Sequence, residues 1–259
     1  MKIVILTSSL QGSASVILPR IIANSNIEVS MVIYNKGLIS NKKKHLIRKA
    51  KKVMKIGFWG AINGIRLRKW YRINDSEPID DIKSFCHNKK ITFRTTDSIN
   101  SLVTKELFKE SKADLGISLG NSYIAKSIFS IPQFGMLNIH HELLPEYTNA
   151  QSIIWQLHNQ SRVSGYTIHK INSKIDQGDI IYRDEMPIIF KESLSKTVNY
   201  NYNRLIQSSA EGLNIVLEDF NYYFNQAINQ TDGNSYTTPS LFQFIRIIRN
   251  HNLLKRDNL

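Results

Sequence analysis

Two short apolar segments near the N-terminus constrain the fold more than any other feature of this sequence. Residues 2–8 (KIVILTS) and 28–34 (EVSMVIY) are rich in β-branched residues and predict strands, and residues 14–24 between them predict an amphipathic helix. A strand, a helix and a second strand in this order place the two strands parallel to each other. The sequence therefore predicts an α/β protein whose sheet is mostly parallel, with helices on both of its faces.

The same alternation continues along the chain. Further predicted helices cover residues 79–88, 98–110, 124–130 and 150–159, and further predicted strands cover residues 91–94, 113–120, 163–171 and 179–188, with one more strand that ends near His140. Residues 193–228 have apolar and aromatic positions at helical spacing, which predicts a long helix with or without a break. We therefore expect a main domain over residues 1–190, with a basic insertion at 36–74, and a mainly helical C-terminal extension over residues 191–259.

Composition excludes several classes of protein. Of the 259 residues 42% are hydrophobic, and no apolar run approaches the ~20 residues that a membrane-spanning helix needs. The N-terminal MKIVILTSSL is typical of a buried strand rather than of a signal peptide. The single cysteine, Cys86, excludes an internal disulfide framework and a cysteine zinc cluster, and it is typical of a reducing compartment. We expect a cytoplasmic protein without a metal site.

Positive charge is concentrated in one segment. The formal net charge is +13, and no acidic residue lies between Glu28 and Asp75. In residues 42–59, apolar residues recur at helical spacing and basic residues take most of the remaining positions. The apolar set is Leu46, Ile47, Ala50, Val53, Met54 and Phe58, and the basic set is Lys43, Lys44, Arg48, Lys51, Lys52 and Lys55.

A helix of this kind is compatible with several roles. It can cover the sheet with a solvated charged face, contact a phosphorylated ligand, or lie on an anionic membrane. Nucleic-acid binding is a further alternative, for which Trp59, Trp70 and Tyr71 are the candidate stacking residues. We expect the solvated cover, with no nucleic-acid partner and no binding to lipid vesicles.

The segment GMLNIHHELLPEY (135–147) carries the main candidate for chemistry. Residues two apart on a strand face the same side, so Asn138 and His140 project together. His141 is expected on the opposite side, unless the strand has already ended before it. A neutral imidazole can take a proton from a nucleophile, and an amide N–H can donate to an oxygen that gains negative charge. The carboxylate that could orient the imidazole is Asp176 in KIDQGDI, where Gly178 permits a sharp turn. Each motif alone is also compatible with an ordinary hydrogen-bonded turn.

The order and spacing of these motifs resemble one enzyme family. From Leu115 to Pro187 the chain is similar to the formyltransferases that use 10-formyltetrahydrofolate, which combine N-x-H-x-x-L-L-P with a later L/I-D-x-G-D-I loop. The corresponding segments are SLGNSYIAKSIF, IPQFGMLNIHHELLPEY, SIIWQLH, VSGYTIHKI and KIDQGDIIY. The resemblance implies a Rossmann-like fold over the first 190 residues, a catalytic role for this domain and a folate co-substrate.

The resemblance also implies roles for individual residues. Asn138, His140 and Asp176 would be the catalytic trio. The folate pocket would be formed by Ser122, Tyr123, Ile124, Ala125, Leu143, Leu144, Pro145, Ile175 and Gly178. Leu143 and Leu144 are equally compatible with simple core packing. The acceptor side would include Gly12, Ser13, Tyr147 and Gln151. Gly12 and Ser13 belong to the loop SSLQGSAS, which can present a helix N-terminus to phosphate and is equally compatible with an ordinary N-cap and turn. His141 and Glu142, and Thr148 and Asn149, depart from the family pattern near this side.

The arrangement of the chain favours one class of acceptor. Methionyl-tRNA formyltransferases append a β-barrel domain, whereas the residues after Pro187 have a helical pattern. Glycinamide ribonucleotide formyltransferases are smaller and lack a basic insertion, and formyltetrahydrofolate hydrolases carry an additional N-terminal domain. Sugar N-formyltransferases are similar in size and act on amino sugars carried on nucleoside diphosphates for surface polysaccharides. The resemblance therefore implies a nucleotide-linked amino sugar as acceptor; another small amine, methionyl-tRNA, or a catalytically inactive binding module are the alternatives.

The resemblance further implies a homodimer formed through the C-terminal region. Residues 193–228 carry more aromatic side chains than a short extension needs for its own packing. These residues are Tyr200, Tyr202, Phe220, Tyr222, Tyr223 and Phe224. The alternative is that they cover the sheet of their own chain.

Overall fold

The computed structural model describes residues 1–38, 42–73 and 81–256. In these residues seven strands form one sheet in the order β3-β2-β1-β4-β5-β6-β7. The strands are β1 (Lys2–Thr7), β2 (Glu28–Asn35), β3 (Phe93–Thr96), β4 (Leu115–Leu119), β5 (Met136–His140), β6 (Val163–Lys170) and β7 (Ile180–Pro187). Strands β1 to β5 are parallel to one another, and β6 is antiparallel to both β5 and β7. The predicted mostly parallel α/β sheet is therefore confirmed.

Helices connect the strands and extend the chain beyond them. They are α1 (Ser13–Ile22), α2 (Lys42–Arg68), α3 (Ile82–Asn88), α4 (Leu102–Ser111), α5 (Lys126–Phe129), α6 (Ile154–His158), α7 (Leu194–Glu218), α8 (Phe220–Asn225) and α9 (Leu241–Arg256). The long helix predicted over 193–228 is thus two helices, which meet at Asp219. None of the helices in the described residues is both long and apolar enough to cross a membrane.

The sheet is buried on both faces, which explains the almost continuous apolar runs of its first strands. Ile3 and Ile5 of β1 belong to a core cluster that includes residues of α1 and α7. Val4 and Leu6 point to the other face and pack with residues of α4 and α5. Helices therefore lie on both faces, and the carboxyl ends of β1, β4 and β5 come together at one edge, where such sheets bind ligands.

Several element boundaries differ from the prediction for local reasons. Helix α4 begins at Leu102 rather than at residue 98, because the Ser101 hydroxyl accepts a hydrogen bond from the Thr104 N–H and caps the helix. Helix α6 begins only at Ile154, because Asn149 and Ile153 have φ values of 52° and 69° that interrupt a right-handed helix. The predicted start of the third helix at residue 79 lies outside the described residues.

The C-terminal helices share the core of the sheet. Val198 and Leu213 of α7 and Ile247 of α9 belong to the same cluster as β1 and α1. Of the six aromatic residues in the predicted dimer region, four contact rings elsewhere in their own chain: Tyr202 meets Tyr71, Phe220 and Phe224 meet Phe134, and Tyr223 meets Tyr182. Tyr200 and Tyr222 are exposed. Most of this aromatic set therefore contributes to packing within the chain.

The basic insertion contains α2, and most of the buried residues of this helix lie at its break or in its second half. Gly57, with φ 74° and ψ 168°, interrupts it. After the break, Gly60 and Gly64 lie against Pro239 and Thr238, and Leu67 is fully buried. Before the break, residues 46–55 are exposed. The expectation that the apolar positions of this segment cover the sheet is wrong, because those side chains face solvent.

Candidate active site

Asn138 and His140 lie at the carboxyl end of β5 and line one cavity. Strand β5 pairs in parallel with β4 and antiparallel with β6, and Asn138 stands directly opposite His169 of β6. Ile139, between the two polar residues, belongs to the main core. An amide and an imidazole therefore end the strand next to each other, with a second imidazole across from the amide.

The loop between β6 and β7 brings a carboxylate to this group. Asp176 has φ 54°, a conformation that aspartate tolerates better than most residues. Its Oδ2 accepts a hydrogen bond from the Asn149 N–H at 2.9 Å and lies 3.8 Å from His140 Nδ1. Its Oδ1 lies 3.9 Å from His169 Nε2. One carboxylate therefore faces two imidazoles.

Hydrogen bonding defines which nitrogen of His140 can accept a proton. Nε2 lies 3.0 Å from the carbonyl oxygen of Tyr147. A carbonyl oxygen can only accept, so Nε2 carries a hydrogen and donates it. In the neutral ring, Nδ1 then holds the free electron pair, and it faces Asp176. A proton accepted at Nδ1 would be stabilised by that carboxylate.

His169 is a site residue that sequence reasoning missed. It is 3% exposed, and its Nδ1 donates to the carbonyl oxygen of Lys170 at 2.9 Å. Its Nε2 therefore accepts a hydrogen bond from Asn138 Nδ2 at 3.1 Å. Burial, and to a smaller extent the neighbouring His140, lower the pKa of His169 to about 4, although Asp176 opposes the shift. A neutral His169 thus fixes the amide group of Asn138 and leaves its second N–H available.

The cavity has a volume of about 480 Å³, within the range of sites that bind small molecules. The predicted site residues that line it are Ser122, Tyr123, Ile124, Asn138, His140, Gln151, Ile175 and Asp176. The buried side-chain oxygen of Gln151 has no hydrogen-bond partner within the described residues. This oxygen is enclosed by the surrounding atoms, so the structure does not present it on the cavity surface.

Asn100 holds residues 122–125, which the resemblance places in the folate pocket. Its Nδ2 donates to the Tyr123 carbonyl oxygen at 3.0 Å, and its Oδ1 accepts from the Ala125 N–H at 2.7 Å. Two backbone groups of this segment are therefore already paired. Ala125 itself is the N-cap residue of α5 and does not line the cavity.

The other predicted residues are not part of the cavity wall. Leu143 and Leu144 are buried, and the Leu144 N–H donates to Thr167 Oγ1. The carbonyl of Pro145 packs closely against Gly233, and Gly178 packs against the Lys170 backbone, where a Cβ would collide. The ring of Tyr147 stacks on Tyr236 at 5.5 Å. Gly12 and Ser13 begin α1, close to Gly120 of the cavity wall.

A second cluster borders the cavity on the side where the chain departs from the family pattern. His141 lines the same cavity as His140, because β5 ends at His140 and strand alternation no longer applies. The predicted position of His141 on the opposite side is therefore wrong. Its ring contacts Tyr202 edge-on at 5.6 Å, and Nε2 lies 3.3 Å from Ser209 Oγ. Burial, together with the neighbouring His140, lowers its pKa to about 3.

The same cluster contains a fully buried carboxyl group. Glu142 is 0% exposed and accepts a hydrogen bond from Gln156 Nε2. Burial raises its pKa well above the usual range. Tyr71, which follows α2, donates to the Ser152 carbonyl oxygen at 2.7 Å, and burial and Glu142 both raise its pKa. Tyr71, His141 and Tyr202 all line the cavity, although they are far apart in the sequence.

The arrangement can assist the attack of an amine on a carbonyl carbon. His140 can take a proton at Nδ1, Asp176 stabilises the resulting charge, and Asn138 can donate to an oxygen that becomes negative. No group of histidine, cysteine and acidic side chains with metal-binding geometry occurs in the described part of the chain.

Comparisons with known proteins agree with this chemistry. The formyl transferase family model matches residues 66–213, which include Asn138, His140 and Asp176. A methionyl-tRNA formyltransferase of Clostridium tetani is 33% identical over 107 residues, which cover 41% of this chain and 33% of that relative. The chain therefore spans about a third of the length of that curated relative.

Solved structures show a similar fold. A phosphoribosylglycinamide formyltransferase from Anaplasma phagocytophilum superimposes with a TM-score of 0.55 at 15% identity, covering 85% of this chain and 87% of the other. An N-formyltransferase from Helicobacter canadensis, in complex with folinic acid and dTDP-3-aminofucose, superimposes with a TM-score of 0.56 at 17% identity, covering 97% and 80%.

Proposed function

The chain belongs to the formyl transferase family, and from this premise we propose that it transfers the formyl group of 10-formyltetrahydrofolate to the amine of a nucleotide-linked amino sugar. The observation that carries the proposal is the meeting of Asn138, His140 and Asp176 at a ligand-sized cavity. These three groups provide the hydrogen-bond donor, the proton acceptor and the balancing charge that formyl transfer to an amine needs.

The cavity fits a folate co-substrate, which supplies the formyl carbon. Ile124, Ile171 and Ile175 give it apolar walls for a flat ring system. Ser122 and Tyr123 complete the wall at the end of β4. These residues would hold the donor beside Asn138 and His140.

Side chains of the protein then accept the proton and stabilise the charges that develop during the transfer. The amine nitrogen forms the new bond to the formyl carbon, and the proton that it loses goes to His140 Nδ1, beside Asp176. Asn138, held by His169, uses its second N–H to stabilise the formyl oxygen while that oxygen carries negative charge. As the bond between the formyl carbon and the folate nitrogen breaks, His140 returns the proton to the leaving nitrogen.

The acceptor side supports a sugar nucleotide through several features. Tyr71, His141 and Tyr202 place aromatic rings in the cavity wall, where a sugar or a base can pack. Gly12 and Ser13 begin α1 near the cavity, and a helix N-terminus can receive a phosphate group. The Helicobacter canadensis protein, whose complex contains dTDP-3-aminofucose, superimposes on 97% of this chain. We further propose that the reaction takes place in the cytoplasm and that its product is used for surface polysaccharide synthesis.

The proposal is tested with the intact protein, 10-formyltetrahydrofolate and a panel of acceptors. The panel contains nucleoside-diphosphate-linked sugars with the amine at different ring positions, glycinamide ribonucleotide and methionyl-tRNA, because the Clostridium tetani relative is a methionyl-tRNA formyltransferase. We expect release of tetrahydrofolate, and a formylated product, only with an amino sugar nucleotide. If only methionyl-tRNA or only glycinamide ribonucleotide is formylated, the protein is a formyltransferase but the proposed acceptor class is wrong. If no acceptor is formylated, the proposed reaction itself is wrong.

We further propose a homodimer, with Tyr200 and Tyr222 as the aromatic residues that are available to an interface. Sedimentation of the intact chain at high micromolar concentration is expected to show the dimer, and a monomer would reject it.

A further inference from the structure

The first half of α2 exposes an apolar stripe on an otherwise basic helix. Leu46, Ile47 and Met54 are exposed by 67%, 48% and 83%, and Val53 by 41%. Their spacing places them on one side of the helix. Arg48, Lys49, Lys51, Lys52 and Lys55 occupy the other sides and are exposed as well. A short helix exposed on every side has little stability by itself in water, so this segment is expected to gain from a surface that covers it.

Two exposed aromatic residues follow the break at Gly57. Phe58 and Trp59 are 68% and 58% exposed, and their rings contact each other edge-on at 5.7 Å. Aromatic side chains of this kind are enriched where a protein meets the interface between lipid and water. The pair therefore adds exposed aromatic surface directly after the exposed apolar residues of the first half of α2.

Helix α9 repeats the pattern beside the second half of α2. Pro239 and Thr238, just before α9, contact Gly60 and Gly64, and the ring of Phe244 lies 6.1 Å from that of Trp70. On its outer side, α9 exposes Phe242 and Ile245. Basic residues Arg246 and Arg249 are exposed on the same helix.

The net charge of the protein resides in these two segments. Residues 42–73 and 233–256 contain sixteen basic residues and no acidic one. The rest of the chain contains eighteen basic and 21 acidic residues and is therefore slightly acidic. A partner that covers the exposed apolar residues must also accept a dense positive charge.

We propose that α2, with the neighbouring face of α9, docks the protein onto an anionic lipid bilayer. Lipid acyl chains would receive Leu46, Met54, Phe58 and Trp59, and anionic headgroups would receive the lysines between them. A second copy of the chain fits less well, because it would bring two strongly basic helices together. A nucleic acid would pair with the lysines but would leave the aliphatic side chains in water. This inference goes beyond the catalytic proposal and does not depend on it.

The test is cosedimentation of the intact protein with vesicles. One set is phosphatidylcholine, and in the other phosphatidylglycerol replaces about a third of it. We expect binding only to the anionic set, weakened by salt, with a blue shift of tryptophan emission that Trp59→Ser removes. The variant Lys51→Gln/Lys52→Gln/Lys55→Gln is expected to bind about a hundredfold more weakly. The variant Leu46→Gln/Ile47→Gln/Met54→Gln is expected to bind at least about tenfold more weakly.

Two control variants test whether vesicle binding depends on this particular surface or only on the number of charged or apolar residues that are removed. Lys83→Gln/Lys89→Gln/Lys90→Gln removes the same charge from the exposed surface around α3, and Leu102→Gln/Val103→Gln removes exposed apolar residues from α4. Both controls are expected to bind as the wild type does. The proposal is overturned if the intact protein ignores anionic vesicles, or if the apolar variant binds them as tightly as the wild type does. It is also overturned if self-association protects Trp59 from a soluble quencher while vesicles do not.

Discussion

At the scale of single residues, the orientation of Asn138 depends on a histidine that has no direct part in the proposed proton transfer. His169 accepts a hydrogen bond from Asn138 Nδ2 at 3.1 Å while its own Nδ1 is bound to the Lys170 carbonyl oxygen. Both ring nitrogens are thus used, and burial keeps the ring neutral by lowering its pKa to about 4. We therefore treat His169 as a positioning residue.

Replacing His169 with Phe is expected to lower kcat about tenfold and to leave the KM for 10-formyltetrahydrofolate unchanged, because one orienting hydrogen bond is lost. Gln is expected to retain more activity than Phe, because its carbonyl oxygen can accept from Asn138. The exposed His87→Asn provides the control for loss of a histidine. Steady-state kinetics decide the matter: an unchanged kcat in the Phe variant would show that Asn138 needs no such support.

The buried carboxyl group of Glu142 gives stability a pH dependence with a defined sign. Burial raises its folded-state pKa above the unfolded value of 4.5, so the folded protein holds this proton to higher pH. Its favourable contribution is complete below pH 4.5 and is lost as pH rises toward the folded pKa. The substitution Glu142→Gln keeps the shape and removes the ionisation.

The Glu142→Gln variant is therefore expected to be more stable than the wild type at about pH 8, with a difference that shrinks toward about pH 5. Urea unfolding of both proteins across this range measures it, with the exposed Glu218→Gln as a control that should show no such trend. A constant difference at every pH would mean that Glu142 ionises normally in the folded protein.

At the scale of secondary-structure elements, α2 combines two halves with different support. Leu67, after the break at Gly57, is 0% exposed, whereas Leu46, before it, is 67% exposed. The same residue type in the same helix therefore offers a matched pair of substitutions.

Leu67→Ala is expected to lower the free energy of unfolding by about 2–5 kcal/mol, because it leaves a cavity in the core. Leu46→Ala is expected to change it by less than about 0.5 kcal/mol. Equilibrium urea unfolding without lipid tests the pair. If the two substitutions lower the free energy of unfolding by the same amount, the first half of α2 must be packed in solution.

Elements were predictable where a run of apolar residues or a helical period marks them in the sequence. The strands 2–8 and 28–34 and the order of the elements follow from runs of apolar residues, and they were predicted. The start of α4 depends on a single Ser101 cap, and the start of α6 depends on the left-handed residues Asn149 and Ile153. Periodicity alone does not distinguish such details. In α2 the helical period was predicted, but whether its apolar face meets the sheet or solvent depends on distant parts of the chain.

At the scale of the whole molecule, the site combines segments whose meeting the sequence does not encode locally. The candidate trio was identified from motifs within residues 135–178. His169 was missed because its position opposite Asn138 depends on the antiparallel register of β5 and β6. Tyr71 and Tyr202 reach the cavity from segments far on either side of β5. Strand pairing and long-range packing therefore supply the part of the site that motif reasoning lacks.

The central claim is that this cavity performs formyl transfer with His140 as the proton acceptor. The most direct measurement compares wild type and His140→Asn for single-turnover formyl transfer from 10-formyltetrahydrofolate to the accepted amino sugar nucleotide, together with the Kd for folinic acid. We expect the rate to fall by about 10²–10⁴, because general acid–base catalysis is lost, and the Kd to stay the same, because the imidazole acts mainly on the transition state. A near-normal rate in the His140→Asn variant would contradict the account.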